Sequence, residues 1–187
     1  MRIQLKILNK KFYSEESDGT LLNPLPSYST QGSAALDLVC TDDITLYPGE
    51  RKVIKTGLAI WIGGNGHTVN LEKADRFGPC GGERLALAGI IIPRSGLGTK
   101  GLILANSVGL IDEDYQGELL VSVLNSRKIT EHNDNNEELW NMPISLKAGD
   151  RFAQLMIIPV IKAQFDVVDD FSYNTERGEG GFGSTDV

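Results

Sequence analysis

The chain has 187 residues, a formal net charge of −7 at pH 7 and a pI near 4.9, and this length suits one domain with a sizeable core. The acidic balance argues against nucleic acid or an anionic membrane surface as the main partner, although a few local Arg and Lys residues can still hold a small anion. No apolar run approaches the length of a membrane-spanning helix. The first residues alternate like a strand and do not resemble a signal peptide, and Cys40 and Cys80 lie far apart, so we expect a reducing, cytoplasmic setting without disulfides.

Short apolar or alternating segments recur between turn signals, and 21 of the 187 residues are glycine. These segments predict strands over residues 3–8, 44–46, 53–62, 85–92, 102–104, 119–124, 144–146, 152–159 and 163–168. No stretch of helical length shows a 3.6-residue period, so we expect one short helix at most. The pattern predicts an all-β sandwich or barrel.

Two polar insertions, residues 63–83 and 126–141, interrupt this pattern and predict long hairpin loops. They contain His67 and His132, the only histidines of the chain, which share no ligand spacing with Cys or Asp. We therefore expect surface loop residues here rather than a His-based metal site. No linker divides the chain, which predicts a single domain over residues 1–173 and a flexible glycine-rich segment over residues 174–187.

The segment Gly-Leu-Ile-Asp-Glu-Asp-Tyr-Gln-Gly-Glu at residues 109–118 crowds carboxylates and one tyrosine into a predicted turn. Gly117 can supply a positive φ angle there. Asp112 directly follows an apolar step, so we expect it to be only partly solvated, and a carboxylate in such a position is a candidate general base. Glu113 and Asp114 are predicted to be solvated turn residues.

Further polar residues end or interrupt apolar segments. Arg94-Ser95-Gly96 follows a predicted strand and can present N–H groups, a hydroxyl and a guanidinium to phosphate, although a glycine-rich turn with an incidental arginine fits as well. Asp37 is either a satisfied structural carboxylate or a supporting partner for a nearby arginine or a metal-bound water. Gln154 lies among apolar residues and needs a hydrogen-bond partner, whereas Arg151 and its neighbour Asp150 are predicted to be turn and ion-pair residues.

The last eleven residues, 177–187, are rich in glycine but also contain Arg177, Phe182, Ser184 and Thr185. Such a terminal segment is usually disordered. Arginine and hydroxyl groups can nevertheless contact phosphate, and an aromatic ring can stack on a base. These residue types predict a flap that orders over a nucleotide and excludes water.

Five segments, in chain order, resemble the trimeric dUTPase family, with bacterial and phage members the most similar. They are residues 34–38, 93–98, 109–118, 149–154 and 177–185. The resemblance implies a jelly-roll-like β fold and a homotrimer with three active sites at subunit interfaces. It implies Mg²⁺-dependent hydrolysis of dUTP to dUMP and pyrophosphate, which limits dUTP in the nucleotide pool and supplies dUMP for dTMP synthesis.

The same resemblance implies roles for individual residues. Asp112 would activate a water for in-line attack on the α-phosphorus, and Tyr115 would pack under the deoxyribose and exclude a 2′-hydroxyl. Asn106, on the preceding strand of the same hairpin, would read uracil, and Asp37 would be a supporting acid. The phosphates would be held by Arg94, Ser95, Gly96 and Gln154. The flap residues, donated by a neighbouring subunit, would be Arg177, Phe182, Gly183, Ser184 and Thr185. The metal would be held by phosphates and waters, with no ligand expected directly from the protein.

Two departures and two alternatives accompany the resemblance. Ala35 and Asp186 stand where the family usually has glycine, and the charge of Asp186 would weaken flap closure if it pointed inward. The related dCTP deaminases have a catalytic Glu three residues before the Asn that ends the strand after the acidic turn. That place, counted from Asn125, is Ser122, which disfavours deamination. A protein of another class, a regulator that binds a host protein through the two insertions, is the second alternative.

Overall fold

The computed structural model describes residues 2–16, 18–63, 86–127, 143–163 and 165–181. Within these ranges the chain forms ten strands and one helical turn. They are β1 Gln4–Ile7, β2 Leu36–Val39, β3 Ile44–Leu46, β4 Arg51–Trp61, β5 Ala86–Pro93, α1 Ser95–Gly98, β6 Leu102–Leu104, β7 Gly109–Ile111, β8 Glu118–Asn125, β9 Ile144–Leu146 and β10 Arg151–Val160. No helix of the described ranges is long and apolar enough to cross a membrane.

Two four-stranded antiparallel sheets make up most of the fold. One has the strand order β1-β4-β8-β6 and the other β2-β10-β5-β7, while β3 and β9 form a separate pair. The main hydrophobic cluster takes residues from both sheets, among them Leu38 and Phe152 from one and Ile54 and Val121 from the other. The core therefore lies between the two sheets, and the predicted all-β fold is confirmed.

The alternation of β8 shows why these segments form strands. Leu119, Val121 and Val123 are buried, whereas Leu120 is 47% exposed. Successive side chains of a strand point to opposite faces, so every second residue of β8 enters the core. The pairing of β8 with β4 is interrupted by a register shift between Lys55 and Ala59.

Gly57 lies in this irregular stretch of β4 and has a φ of +68°, which glycine adopts without strain. Its N–H donates a hydrogen bond to Glu118 Oε1 at 2.9 Å. The buried Thr56 hydroxyl donates to the carbonyl oxygen of Leu119 at 2.9 Å. These bonds attach the first residues of β8, and with them the end of the acidic turn, to the middle of β4.

A smaller cluster buries Tyr13, Val39 and Leu58 against the partly buried Ile7, Phe12 and Leu25. The Tyr13 hydroxyl donates to the carbonyl oxygen of Thr56 at 3.0 Å. The segment between β1 and β2 is therefore packed onto the sandwich although its described residues form no strand.

The structure corrects one strand prediction and adds two strands that were not predicted. Residues 163 and 165–168 form no strand, because their alternating apolar side chains have no sheet to cover: Phe165 is 90% and Val167 100% exposed. Two short strands, β2 and β7, were not predicted as strands, since each contains a residue, Asp37 or Gly109, that breaks the apolar run. Pairing with β10 and β5 holds them in place. Residues 64–85 and 128–142, most of the two predicted loops, lie outside the described residues.

Candidate active site

Asp37 is the centre of a polar cluster on the sheet that contains β2 and β10. Its side chain is only 11% exposed. Oδ1 is 2.9 Å from Arg94 Nε and accepts a hydrogen bond from Gln154 Nε2 at 3.2 Å. Oδ2 accepts a hydrogen bond from Arg151 Nη1 at 3.2 Å. One carboxylate thus orients two guanidinium groups and an amide, each of which keeps further N–H donors for an anion.

A β-bulge brings Arg151 into this cluster. Gln154 pairs directly with Asp37 across β10 and β2, and the register shifts between Arg151 and Ala153. In a regular strand, residues three apart point to opposite faces, so Arg151 and Gln154 would not share a partner. The ion pair predicted for Arg151 is present, but nothing in the sequence indicated that its partner would be Asp37.

A cavity of about 430 Å³ lies beside the cluster. Its lining includes the cationic side chains of Arg94, Lys100 and Arg151 and one carboxylate, that of Asp150. The lining therefore has an excess of positive charge in a protein whose net charge is −7. Lys100 was not among the predicted site residues, since a lysine after a glycine-rich turn is typical of any exposed surface.

Ser95 and Gly96 form the first residues of α1 and are both exposed. The turn that contains them is held by the carbonyl oxygen of Arg94, which accepts the N–H groups of Leu97 and Gly98 at 3.0 and 2.8 Å. The structure thus places the predicted residues Arg94, Ser95, Gly96 and Gln154 at one end of the β5–β10 pair, with Asp37 beside them.

Asp112 begins the acidic turn directly after β7. It is exposed, so the expectation that it is partly solvated is wrong for this protomer. The buried residue is Ile111, the last of β7, and the chain turns outward after it. The Asp112 carbonyl oxygen accepts the N–H of Tyr115 at 3.2 Å, which closes the turn.

Tyr115 folds back along this turn. Its hydroxyl donates to the carbonyl oxygen of Glu118 at 2.9 Å, and the ring lies over Gly117. A Cβ at Gly117 would be 2.6 Å from Tyr115 Cζ, so any larger residue would displace the ring from this position. Gly117 does not have a positive φ angle, so the prediction of a positive φ there is wrong. Contact with the Tyr115 ring constrains this position instead.

Glu113 is not the freely solvated turn residue that was predicted. Its side chain is 21% exposed, and Oε1 lies 2.9 Å from Lys162 Nζ. Its Oε2 accepts the N–H of Leu87 at 3.4 Å. Its carbonyl oxygen accepts the N–H of Gly63 at 2.7 Å. The prediction failed because these partners lie at three distant positions of the chain.

Asn106 lies in the turn after β6 and is exposed, so its expected place on a strand is wrong. Ser107 next to it has a φ of 64°, a left-handed conformation that is uncommon for residues other than glycine. The Val108 N–H donates to the Asn106 carbonyl oxygen at 2.7 Å. The chain is therefore sharply bent at Asn106, where it passes from β6 in one sheet to β7 in the other, and the two strands do not form the expected hairpin.

Asp112 lies beside the first half of β5, whereas the Asp37 cluster lies at the far end of that strand. Ile111, the residue before Asp112, pairs with Gly89, whereas Arg94 follows the other end of the strand. At about 3.3 Å per residue, Asp112 and Arg94 are roughly 15–20 Å apart along this sheet. A single phosphate cannot contact both within one protomer.

In the part of the chain that the structure describes, no three His, Cys, Asp or Glu side chains are grouped as a metal site would need. Of the predicted flap, Arg177 is described: it is exposed, and its Nε donates to the carbonyl oxygen of Gly180 at 2.9 Å. The other predicted flap residues lie outside the described residues. They are Phe182, Gly183, Ser184 and Thr185.

Known proteins are similar to this chain over nearly its whole length. The sequence model of the dUTPase family matches residues 65–186. A deoxyuridine 5′-triphosphate nucleotidohydrolase of Acinetobacter baylyi is 43% identical over 188 residues, covering 99% of this chain and 98% of that protein. The protein of the same name from Haemophilus influenzae is 42% identical over 185 residues, covering 97% and 95%.

The fold is likewise similar to a solved structure. The dUTPase of Staphylococcus bacteriophage 80alpha, solved with dUPNHPP, superposes with a TM-score of 0.70 at 25% identity and covers 100% of this chain and 99% of its own. Family, relatives and fold agree with the order of the five segments and with the all-β sandwich. The chain belongs to the dUTPase family.

Proposed function

We propose that this protein hydrolyses dUTP to dUMP and pyrophosphate at sites that combine the Asp112 turn of one protomer with the Asp37 cluster of another. Membership of the dUTPase family makes the chain a dUTP diphosphatase. The proposal that two protomers share each site rests on the separation of Asp112 from Arg94 along β5. A homotrimer with three such sites brings the two groups together across subunit interfaces.

Asp112 is the general base of this mechanism. Its exposed carboxylate takes a proton from a water, whose oxygen forms a bond to the α-phosphorus while the bond from that phosphorus to the pyrophosphate oxygen breaks. In-line displacement of this kind depends on the position of the water and on stabilising the negative charge of the leaving group. Tyr115, folded against Gly117, offers its ring face to the deoxyribose, and Asn106 in the turn between β6 and β7 reads the uracil.

The triphosphate binds to the Asp37 cluster. Arg94 and Gln154 keep unused N–H donors after bonding to Asp37, and Ser95 and Gly96 add a hydroxyl and backbone N–H groups. Arg151 and Lys100, which line the adjoining cavity, add positive charge. Asp37 supports this site by fixing the direction of both guanidinium groups.

Mg²⁺ suits a site in which the protein groups bind the triphosphate, because this ion binds phosphate oxygens and waters with few protein ligands. When bound, it neutralises part of the charge on the triphosphate and the leaving pyrophosphate. Arg177, with the glycine-rich residues after it, closes over the nucleotide of a neighbouring subunit and excludes water. The cytoplasmic setting and a host partner for the two insertions remain predictions.

The test is a substrate panel. Purified protein with Mg²⁺ should release pyrophosphate from dUTP and act poorly on dTTP, dCTP and UTP. Chelation of the metal should abolish the release. Equal turnover of all four nucleotides would overturn the specificity, and ammonia release from dCTP would support the deaminase alternative instead.

A further inference from the structure

Glu113 connects the acidic turn to three separate parts of the fold. Its carbonyl oxygen accepts the N–H of Gly63, just after β4, at 2.7 Å. Its Oε2 accepts the N–H of Leu87 at the start of β5 at 3.4 Å, and its Oε1 pairs with Lys162, just after β10, at 2.9 Å. One residue of the turn is thus attached to the ends of three strands from both sheets.

The close approach of Gly63 shows how tightly the turn is seated. A Cβ at Gly63 would be 2.8 Å from the Glu113 carbonyl oxygen and 3.3 Å from its Cβ. These separations are shorter than normal van der Waals contact, so only glycine fits there without displacing the turn. The position of the turn is therefore determined by packing as well as by charge.

Asp112, in contrast, has no comparable support. It is exposed, and its carboxylate makes no hydrogen bond within the described part of the chain. The carboxylate of Glu113, one residue later, is only 21% exposed, and Lys162 and the N–H of Leu87 compensate for its lost hydration. The contacts that fix Glu113 therefore also fix the backbone from which Asp112 projects.

We infer that Glu113 is a positioning residue for Asp112: it anchors the turn so that the exposed carboxylate is presented in one direction. This role rests on the proposed use of Asp112 as the base. Lys162 shares in this role through its ion pair with Glu113. Asp114, in the same turn, is exposed and takes no part.

The experiment compares Glu113→Ala and Glu113→Gln with the matched control Asp114→Asn. Steady-state kinetics with dUTP and Mg²⁺ give kcat and KM, and amide hydrogen exchange of residues 112–117 and of Gly63 reports the order of the turn. Glu113→Ala should lower kcat about 10- to 100-fold and leave KM within about twofold, because the base is misplaced while phosphate binding is intact. Its turn amides should exchange faster. Glu113→Gln keeps an acceptor for the Leu87 N–H, so its kcat should lie between those of Glu113→Ala and the wild type. Asp114→Asn should match the wild type.

Gly63→Ala perturbs the same contact from the other side and should reproduce the loss of kcat. If Glu113→Ala does not fold, Glu113→Gln and Lys162→Met, which remove only the ion pair, are measured in the same two ways. Unchanged kcat in the Glu113 variants, or an equal loss in Asp114→Asn, would overturn the inference. If the wild type failed to hydrolyse dUTP, the proposed function would fail, and the exchange of the turn amides would still decide whether Glu113 anchors the turn.

Discussion

Asp37 on β2 and Gln154 on β10 lie directly opposite each other, and Gln154 Nε2 donates to Asp37 Oδ1 at 3.2 Å. The same oxygen is 2.9 Å from Arg94 Nε. A buried carboxylate therefore determines the direction of two side chains that we propose to contact phosphate. The bulge at Arg151 adds a second guanidinium to the same carboxylate.

Asp37→Asn should weaken catalysis without unfolding the protein. The amide keeps the shape of the side chain but loses two charge-assisted contacts, to Arg94 and Arg151. Misdirected guanidinium groups should lower kcat/KM for dUTP about 10- to 100-fold. The matched control is Asp43→Asn, which removes an exposed surface pair with Lys147 and should leave kcat/KM unchanged. Equal kinetics in the two variants would contradict the role of Asp37.

Asp112→Asn should bind nucleotide but turn it over slowly. Removal of the general base should lower kcat by on the order of 10²-fold or more, because the amide cannot accept the proton of the attacking water. Binding of a non-hydrolysable dUTP analogue, measured by calorimetry, should stay within a few-fold of the wild type. A variant that keeps its turnover would show that another group is the base.

Subunits that are inactive alone should restore activity when mixed. Arg94→Ala and Asp112→Asn damage the two halves of the proposed site. In a trimer that contains both variants, one interface can combine an intact Asp112 turn with an intact Asp37 cluster from another subunit. Co-expressed and doubly tagged trimers should reach about one third of the wild-type rate, the share expected for one intact site of three. Separately purified variants, combined without exchange, are the control, and inactivity of the mixed trimers would contradict shared sites.

Gly117→Ala should relax the discrimination against ribose. The new Cβ would be 2.6 Å from Tyr115 Cζ, so the ring must leave the position in which we propose that it excludes a 2′-hydroxyl. The ratio of kcat/KM for dUTP to that for UTP should fall about tenfold, within the range typical of one altered steric contact. Gly32→Ala, where an added Cβ has nothing within 4 Å, is the control. An unchanged ratio would show that the position of the Tyr115 ring does not determine the selection of deoxyribose over ribose.

Alkaline pH should destabilise the protein through Cys40. Burial raises the pKa of this thiol to about 11, and its Sγ donates to the carbonyl oxygen of Lys147 at 2.9 Å. In the unfolded chain the thiol loses its proton near its ordinary pKa of 9.0. Between pH 9 and about 11 the unfolded state therefore binds fewer protons, and the free energy of unfolding should fall by about 2–3 kcal/mol as pH rises.

Urea denaturation of wild type and Cys40→Ser between pH 8 and about 11 measures this effect. The serine variant should lose less stability over that range, while Cys80 is common to both proteins and cancels. Burial also raises the pKa of Tyr13 to about 12. Tyr13 therefore lowers the free energy of unfolding only above its ordinary pKa of 10.0. Parallel pH profiles for the two proteins would contradict the assignment to Cys40.

The sequence by itself determined the all-β class and the residue types of the site. Period-two alternation is a local property, so β8 and β10 could be predicted from their own residues, and the five segments predicted the family without reference to tertiary contacts. Local pattern failed where a segment lacked a partner, as at residues 165–168, or gained one, as at the short β2 and β7.

Tertiary structure alone decided which of these residues meet. It placed Arg151 beside Asp37 through a bulge, attached Glu113 to the ends of three strands, and separated Asp112 from Arg94 along β5. Register, bulges and the ends of strands depend on hydrogen bonds between segments far apart in the chain. No property of a single segment specifies them.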